Sequence, residues 1–149
     1  LIRTFLVTPA AVSGSSMEST LNNHDLVIIN KLVYRIKPIE RFDIVVVNND
    51  KDNDRIIKRV IGLPNETIKC ENGIIYINDH KIDDPYAYGK TDDFESVTLK
   101  DDEYFILGDN REISLDSHIF GPEKRENIKG VADFIIFPFS RFGKVETKE

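Results

Sequence analysis

An apolar run carries a lysine near its centre: Ile56-Ile57-Lys58-Arg59-Val60-Ile61, followed by Gly62-Leu63-Pro64. Its β-branched residues and terminal turn predict a strand. Because successive side chains of a strand point to opposite faces, Lys58 shares a face with Ile56 and Val60. Burial there would lower the pKa of the lysine, and a neutral lysine can act as a general base. The alternative is an edge-strand lysine whose ammonium group reaches water.

A hydroxyl-rich segment upstream supplies a candidate nucleophile. Residues 12–21 contain five hydroxyl side chains and one glycine. A serine hydroxyl is a weak nucleophile until a nearby base takes its proton. Gly14 lets the backbone approach a ligand closely, and the neighbouring N–H groups could stabilise an oxyanion. The alternative is an ordinary serine-rich turn, or a helix cap that starts near Ser15 or Ser16.

Residues 108–118 form a third unusual segment, rich in Asp, Asn, Arg and Ser. They follow the apolar run at 104–107, and Gly, Asp and Asn after a strand mark a turn. A buried polar network is costly unless its members pair, so this density of polar groups indicates a hydrogen-bonded site. A solvated loop is the alternative.

Together these segments resemble the type I signal peptidases, membrane-anchored Ser-Lys proteases that remove signal peptides from exported proteins. The motifs occur in the family's order and span roughly residues 8–140. They are Ser16-Met17-Glu18-Ser19-Thr20-Leu21, Arg41-Phe42-Asp43-Ile44-Val45-Val46, residues 55–64, and Gly108-Asp109-Asn110-Arg111 with Ser114-Leu115-Asp116-Ser117.

The resemblance assigns the reaction to two side chains. Ser16 matches the nucleophile and Lys58 matches the general base. The backbone N–H of Ser16, in the region of Gly14, is implied as part of the oxyanion hole.

Four further residues match supporting positions of the family. Ser114 matches the serine that orients the lysine. Asp109 and Arg59 match a pair that links the lysine strand to the Gly-Asp-Asn-Arg loop, and Asp116 matches a residue that supports this loop.

Several positions depart from the family pattern. Ser19 replaces a proline, so the loop loses a fixed φ. Asn65 replaces a glycine, and because asparagine tolerates the left-handed conformation we expect the turn to persist. His118 replaces an arginine, which makes its pairing with Asp116 dependent on pH. Gly14 stands where some family members carry a hydroxyl that donates to the oxyanion. A glycine at this position is similar to the Gram-positive branch of the family.

The composition is consistent with this assignment. The 149 residues suggest one domain, and a net charge of −6 without a basic stripe argues against nucleic-acid binding. Cys70 is the only cysteine, so no intrachain disulfide can form, and we read it as structural. His24, His80 and His118 are widely separated, so we expect neither a metal site nor a cofactor.

No segment approaches the roughly 18–20 apolar residues that cross a bilayer. The chain starts at Leu1, and the family carries its membrane anchor just ahead of this position. The resemblance therefore implies the extracytoplasmic part of a single-pass protein of the cell membrane, with its anchor outside these residues. A soluble relative whose strand begins here is the alternative.

Short β-branched or aromatic runs predict a mainly β chain. Turn residues at 71–73 and 78–80 predict hairpins across residues 66–83. The resemblance implies antiparallel, coiled sheets around an SH3-like barrel, in one domain over 1–149 with a core at about 1–65 and 103–142. Hairpins and a small cap would be inserted at about 66–102. The predicted strands are 26–29, 44–47, 56–61, 74–77, 104–107 and 134–137.

Signal peptides of preproteins are the implied substrates, and the family prefers Ala-like residues at positions −1 and −3. A peptide added to a sheet edge presents alternate side chains to shallow pockets. We expect docking on Ser13–Ser16 and on the segment before Lys58. The predicted substrate-binding residues are Ser13, Ser15, Met17, Ile29, Val45 and Ile57.

We also expect a monomer next to a lipid surface. Phe5, Leu6, Met17 and the cluster Phe137-Pro138-Phe139 could form an apolar rim against lipid, and ordinary core packing is the alternative for each.

Three alternative functions fit the same residues. A Ser-His-Asp arrangement could use His118 and Asp116, although their separation by Ser117 alone makes the relay geometry awkward. A self-cleaving repressor-type Ser-Lys protease would need a DNA-binding domain. An inactive paralogue would bind exported peptides without cutting them.

Overall fold

The computed structural model describes residues 7–18, 20–31, 38–48, 55–112, 117 and 121–145. Among them, the strands are antiparallel and form two sheets, and the larger sheet curls into a half-barrel. The mainly β fold predicted from the sequence is confirmed. No helix in this part of the chain has the length and apolar character to span a bilayer.

The strands of the described residues follow one another along the chain with two short 3-10 helices near the C-terminus, at Arg125–Asn127 and Phe139–Arg141. The strand bounds are β1 Val7–Ala11, β2 Leu26–Asn30, β3 Ile44–Asn48, β4 Arg55–Gly62, β5 Thr67–Glu71, β6 Ile74–Ile77, β7 His80–Lys81, β8 Phe94–Thr98, β9 Glu103–Leu107, β10 Glu123–Lys124, β11 Ile128–Phe137 and β12 Gly143–Lys144.

The larger sheet has the order β1-β2-β11-β3-β4-β9-β10, with β12 paired to β11. Strand β11 is long enough to pair with β2 along one edge and with β3 and then β12 along the other. A glycine is required at position 130, where β11 passes β2. A Cβ atom at this position would lie only 2.6 Å from Ile29 Cγ2. The central strands β3, β4 and β11 therefore form the frame that carries the site.

All six predicted runs lie in strands, namely in β2, β3, β4, β6, β9 and β11. The sequence pattern did not predict β1, β8, β10 or β12 as strands. Strand β1 contains Pro9, which cannot donate to a ladder, and among the described strands β1 pairs with β2 alone. Most side chains of β8 are exposed, so its sequence shows little of the alternation between apolar and polar residues that marks a strand.

The smaller sheet, β7-β6-β5-β8, is built from the two predicted hairpins and one more strand. Asn72 and Gly73 join β5 to β6 with φ of 55° and 78°, and Asn78 and Asp79 join β6 to β7 with φ of 50° and 68°. Two successive residues at positive φ match the twist of a tight hairpin, so both hairpins are confirmed. The division of the chain into a core and an inserted segment remains a prediction.

Asn65 adopts φ 69°, so the turn after Pro64 forms with asparagine at the expected left-handed position. The N–H of Leu63 donates to Glu66 Oε1 at 2.7 Å, and Arg41 holds the same carboxylate through both terminal nitrogens. Burial alone would raise the pKa of Glu66, but these hydrogen bonds outweigh it and hold the pKa below its usual range.

The sole cysteine lies in the core of the smaller sheet. Cys70 is buried with Ile68, Ile75 and Phe105. Its burial, followed by the nearby carboxylate of Asp93, raises the pKa of the thiol to about 11. A thiol that stays protonated at neutral pH is a poor nucleophile, as a structural cysteine requires.

Candidate active site

Ser16 and Lys58, far apart in the sequence, line one small pocket of about 70 Å³. Of the predicted substrate-binding residues, Ser13, Met17 and Ile57 also line this pocket. Val12 and Ile56 complete the lining.

The remaining predicted substrate-binding residues lie elsewhere. Ile29 and Val45 are buried in the core, at 2% and 0% exposure, and are not part of the pocket lining. Ser15 lies outside the lining as well, and its carbonyl oxygen accepts hydrogen bonds from Glu18 N–H and from Asn110.

The loop at residues 12–18 contains the predicted nucleophile Ser16 and is called the nucleophile loop. Backbone hydrogen bonds hold it at both ends. The N–H of Val12 donates to the Asp25 carbonyl at 2.7 Å, and Leu21 N–H donates to the Met17 carbonyl at 2.8 Å. Gly14 turns the chain with φ 90°, and its N–H donates to Asn23 Oδ1 at 2.9 Å. The loop therefore enters and leaves the core at fixed points, with Ser16 between them.

Lys58 lies in the centre of β4 with only 4% of its surface exposed. The burial expected from its position in an apolar strand is confirmed. It pairs with Val45 of β3, and its flanking residues Ile56 and Val60 pack on the same apolar cluster as Val45. Strand β9 pairs with β4 from Arg59 onward.

Arg59 points to the other face and makes a buried ion pair. Its Nε and one terminal nitrogen donate to the two oxygens of Asp109 at 2.9 and 2.7 Å, and both side chains are 0% exposed. The remaining terminal nitrogen donates to the Phe42 carbonyl at 2.8 Å. The guanidinium also lies 3.7 Å from the ring centroid of Tyr86. This pair fixes the start of the Gly-Asp-Asn-Arg loop against β4.

The Gly-Asp-Asn-Arg loop also holds the nucleophile loop. Asp109 accepts a 2.6 Å hydrogen bond from the hydroxyl of Thr20, and its N–H donates to the sulfur of Met17 at 3.3 Å. The next residue, Asn110, donates from its backbone N–H to the Ser16 carbonyl at 2.8 Å and from Nδ2 to the Ser15 carbonyl at 3.1 Å.

Arg111 connects the same loop to the segment before β8. Its side chain, 3% exposed, donates to Asp84 Oδ1 at 2.9 Å, to the hydroxyl of Thr91 at 2.9 Å and to the Gly108 carbonyl at 2.8 Å. The backbone of Tyr88 bridges to Asn110, donating to the Asp109 carbonyl and accepting from Arg111 N–H. Both flanks of Asn110 are thereby tied to the fold.

Sequence reasoning did not single out Thr20, Asp84, Tyr86 or Thr91. Thr20 stood within the predicted nucleophile motif, which was the only available signal for it. The other three act through contacts between distant segments, which no local pattern reports. Ser19, Ser114, Asp116 and His118 lie outside the described residues. The described part of the chain holds no group of three or more His, Cys, Asp or Glu side chains that could bind a metal ion.

Comparisons with known proteins identify the family. The family model of signal peptidase, peptidase S26, matches residues 1–137. A signal peptidase I of Bacillus amyloliquefaciens is 39% identical over 98% of this chain and 84% of the relative. One from Bacillus caldolyticus is 43% identical over 95% of this chain and 85% of the relative.

A solved signal peptidase I from Enterococcus faecalis V583 has a TM-score of 0.57 and 34% identity, covering 64% of this chain and 97% of that chain. The chain is therefore a serine peptidase. It belongs to the signal peptidase family, peptidase S26. Signal peptidase I acts on the signal peptides of preproteins, and the relatives support that activity here.

Replacing Asp109 with Ala is expected to destabilise the fold by about 3–5 kcal/mol, because the Arg59 guanidinium would remain buried without its counter-charge. Urea unfolding followed by circular dichroism measures this. Glu71→Gln is the matched control, since Glu71 pairs with Lys69 at 3.5 Å on the surface, and it should cause no measurable change. Equal stabilities for Asp109→Ala and the parent chain would contradict the assignment.

Proposed function

We propose that this chain removes signal peptides with a Ser-Lys dyad in which Ser16 is the nucleophile and Lys58 the general base. The observation that carries the proposal is their shared pocket. The burial of Lys58 supports it, because withdrawal from water disfavours the ammonium form and a base must be neutral to accept a proton.

The chemistry proceeds in two stages. Lys58 takes the proton of the Ser16 hydroxyl as its oxygen attacks the scissile carbonyl carbon, and the N–H of Ser16 donates to the oxyanion. The protonated lysine then gives its proton to the leaving amine as the C–N bond breaks, which leaves an ester on Ser16. Water, deprotonated by Lys58, hydrolyses this acyl-enzyme and restores the free hydroxyl.

Supporting residues keep the two groups in place. We assign Arg59 and Asp109 to holding the lysine strand against the loop that contacts Ser16, on the basis of their buried ion pair. By resemblance we assign Ser114 to orienting Lys58 and Asp116 to supporting its loop. Gly14 shapes the turn, while its own N–H is engaged by Asn23.

We further propose that the enzyme cleaves after Ala-X-Ala. A pocket of about 70 Å³ with apolar walls from Met17 and Ile57 lies beside Ser16, which suits a small apolar side chain. Ile56 and Ile57, which precede Lys58 in β4, line the pocket, so an extended peptide that docks along this segment would pass next to Ser16. In an extended peptide, the side chains of residues −1 and −3 point to the same side. Both side chains must be small if this side packs against the enzyme.

The dyad predicts that Ser16→Ala and Lys58→Ala each lower cleavage of an Ala-X-Ala preprotein by at least ~10⁴-fold, as loss of a nucleophile or its base does in other serine proteases. Lys58→Met should do the same while keeping the volume of the side chain. The assay is N-terminal analysis of the mature product in detergent, with circular dichroism to verify folding. Lys69→Ala, which removes a partly exposed lysine of β5, serves as the control and should retain activity.

The same assay separates the alternatives. His118→Ala should retain substantial activity under the dyad and lose it under a Ser-His-Asp mechanism. An inactive paralogue would bind the preprotein and release no mature product. Cleavage by either purified dyad variant at the parent rate would refute the assignment of Ser16 and Lys58.

The small pocket predicts strong selection at position −1. Leu in place of Ala there should lower kcat/KM by about 5- to 160-fold, since overpacking a site costs ~1–3 kcal/mol. The same change at −2, on the opposite face of the peptide, should have little effect. Ile57→Ala should recover part of the rate for the Leu substrate. Equal losses at −1 and −2 would contradict this pocket assignment.

We also propose that an aromatic surface near the site rests on the membrane. Phe137, Phe139 and Phe142 are 51%, 78% and 61% exposed. Exposed apolar side chains in a cluster mark interaction surfaces. The cluster adjoins the turn that follows the nucleophile loop, because Phe137 pairs with Leu26 and Arg141 donates to the Thr20 carbonyl at 2.8 Å. Arg141 thereby connects the aromatic surface to the segment that follows Ser16.

A Phe139→Ser, Phe142→Ser double variant should lose most of the chain's binding to phospholipid vesicles, because it removes two exposed rings at once. Flotation with vesicles of mixed neutral and anionic lipid measures the bound fraction. Tyr88→Ser removes an aromatic ring that is 60% exposed elsewhere and is the control. Equal binding by the parent chain and the double variant would rule out this surface.

A further inference from the structure

We propose that Asn110 is a positioning residue that orients the backbone N–H of Ser16 toward the substrate oxyanion. The inference rests on the proposed function, because it takes Ser16 as the nucleophile. It assigns to the side chain of Asn110, which shares the Ser15 carbonyl with the N–H of Glu18, a part in orienting the N–H donor on which the proposed reaction depends.

Asn110 holds both peptide units that meet at Ser16. Its Nδ2 donates to the carbonyl of Ser15 at 3.1 Å, and its backbone N–H donates to the carbonyl of Ser16 at 2.8 Å. The first carbonyl belongs to the peptide unit that contains the N–H of Ser16. The second belongs to the unit that continues to Met17, whose side chain is buried.

Peptide geometry converts these contacts into the direction of the donor. A peptide unit is planar and trans, so its C=O and N–H point to opposite sides of the chain. When the Ser15 carbonyl is drawn toward Asn110, the Ser16 N–H of the same unit must point away from Asn110. Rotation of this unit about its two flanking single bonds is the soft motion that would misdirect the donor, and the side-chain amide opposes it.

Asn110 is itself fixed well enough to serve as a reference point. Only 8% of its surface is exposed. Asp109 on one side is paired with Arg59, and Arg111 on the other side is held by Asp84. The backbone bridge from Tyr88 spans the residue. A donor held this firmly costs no reorganisation when charge develops on the substrate, which is the condition for efficient oxyanion stabilisation.

The test compares Asn110→Ala and Asn110→Asp with the parent enzyme. Both variants keep the backbone N–H, and Asp keeps the size of the side chain while replacing the donor with an acceptor. We expect kcat to fall by about 10- to 100-fold, below the roughly 100- to 1000-fold cost of deleting an oxyanion donor outright. The KM should change by less than about 2-fold, because the oxyanion exists only in the transition state.

Two further readouts separate positioning from general disruption. The acid limb of the pH profile of kcat/KM should not move, since the variants leave Lys58 untouched. Affinity for a peptide aldehyde, which forms a tetrahedral adduct with the serine, should fall in proportion to kcat/KM. Asn127→Ala is the matched control: this amide donates to Glu123 at 2.8 Å in the 3-10 helix before β11, and its loss should leave kcat unchanged.

Folded Asn110 variants with parental kcat, or with a raised KM and unchanged kcat, would overturn the positioning role. So would failure of both variants to fold, because Asn110 would then be structural. The outcome is independent of the dyad test. If Ser16→Ala is inactive while Asn110→Ala retains its kcat, the dyad stands and this inference fails. If Ser16→Ala is active, the proposed function itself fails.

Discussion

The guanidinium of Arg59 and the carboxylate of Asp109 are both fully withdrawn from water, and the fold arranges its polar groups around this pair. Two buried charges are tolerated only when their remaining hydrogen-bonding capacity is also satisfied. The Phe42 carbonyl accepts a further hydrogen bond from Arg59, and the Thr20 hydroxyl donates one to Asp109. These groups come from four separate segments. The buried ion pair therefore fixes the distances between β4, the loop after β9 and the segment that contains Thr20.

The backbone of Phe42 is strained next to this ion pair. It adopts φ 75°, a conformation that a bulky side chain rarely takes. Its carbonyl accepts from Arg59 and its ring packs against Tyr86 at 5.6 Å between centroids. Strain of this kind persists where surrounding contacts over-determine it. The strained residue precedes β3, so the strand that pairs with Lys58 begins from a point fixed by the buried ion pair.

Local chemistry explains how much the sequence predicted. The alternation around Lys58 predicted its burial, and the turns at Asn72 and Asn78 predicted the hairpins, because both signals act within a few residues. Ile29 and Val45 were expected in the pocket, yet their apolar character fits the core equally well. The contact of Arg111 with Asp84 joins segments 27 residues apart and leaves no periodic trace. The sequence therefore predicted which residues lie in strands and turns, but it did not predict which residues from distant segments contact one another.

The long sequence separations within the site have a kinetic meaning. Thr20 meets Asp109 across 89 residues, and Ser15 meets Asn110 across 95. Contacts of such high order form only after the intervening chain has closed its loops. A chain synthesised as far as β4 already contains Ser16 and Lys58, but the residues that hold the nucleophile loop in place have not yet been made. The contacts that hold the nucleophile loop can therefore form only after β9 and the loop that follows it have been synthesised.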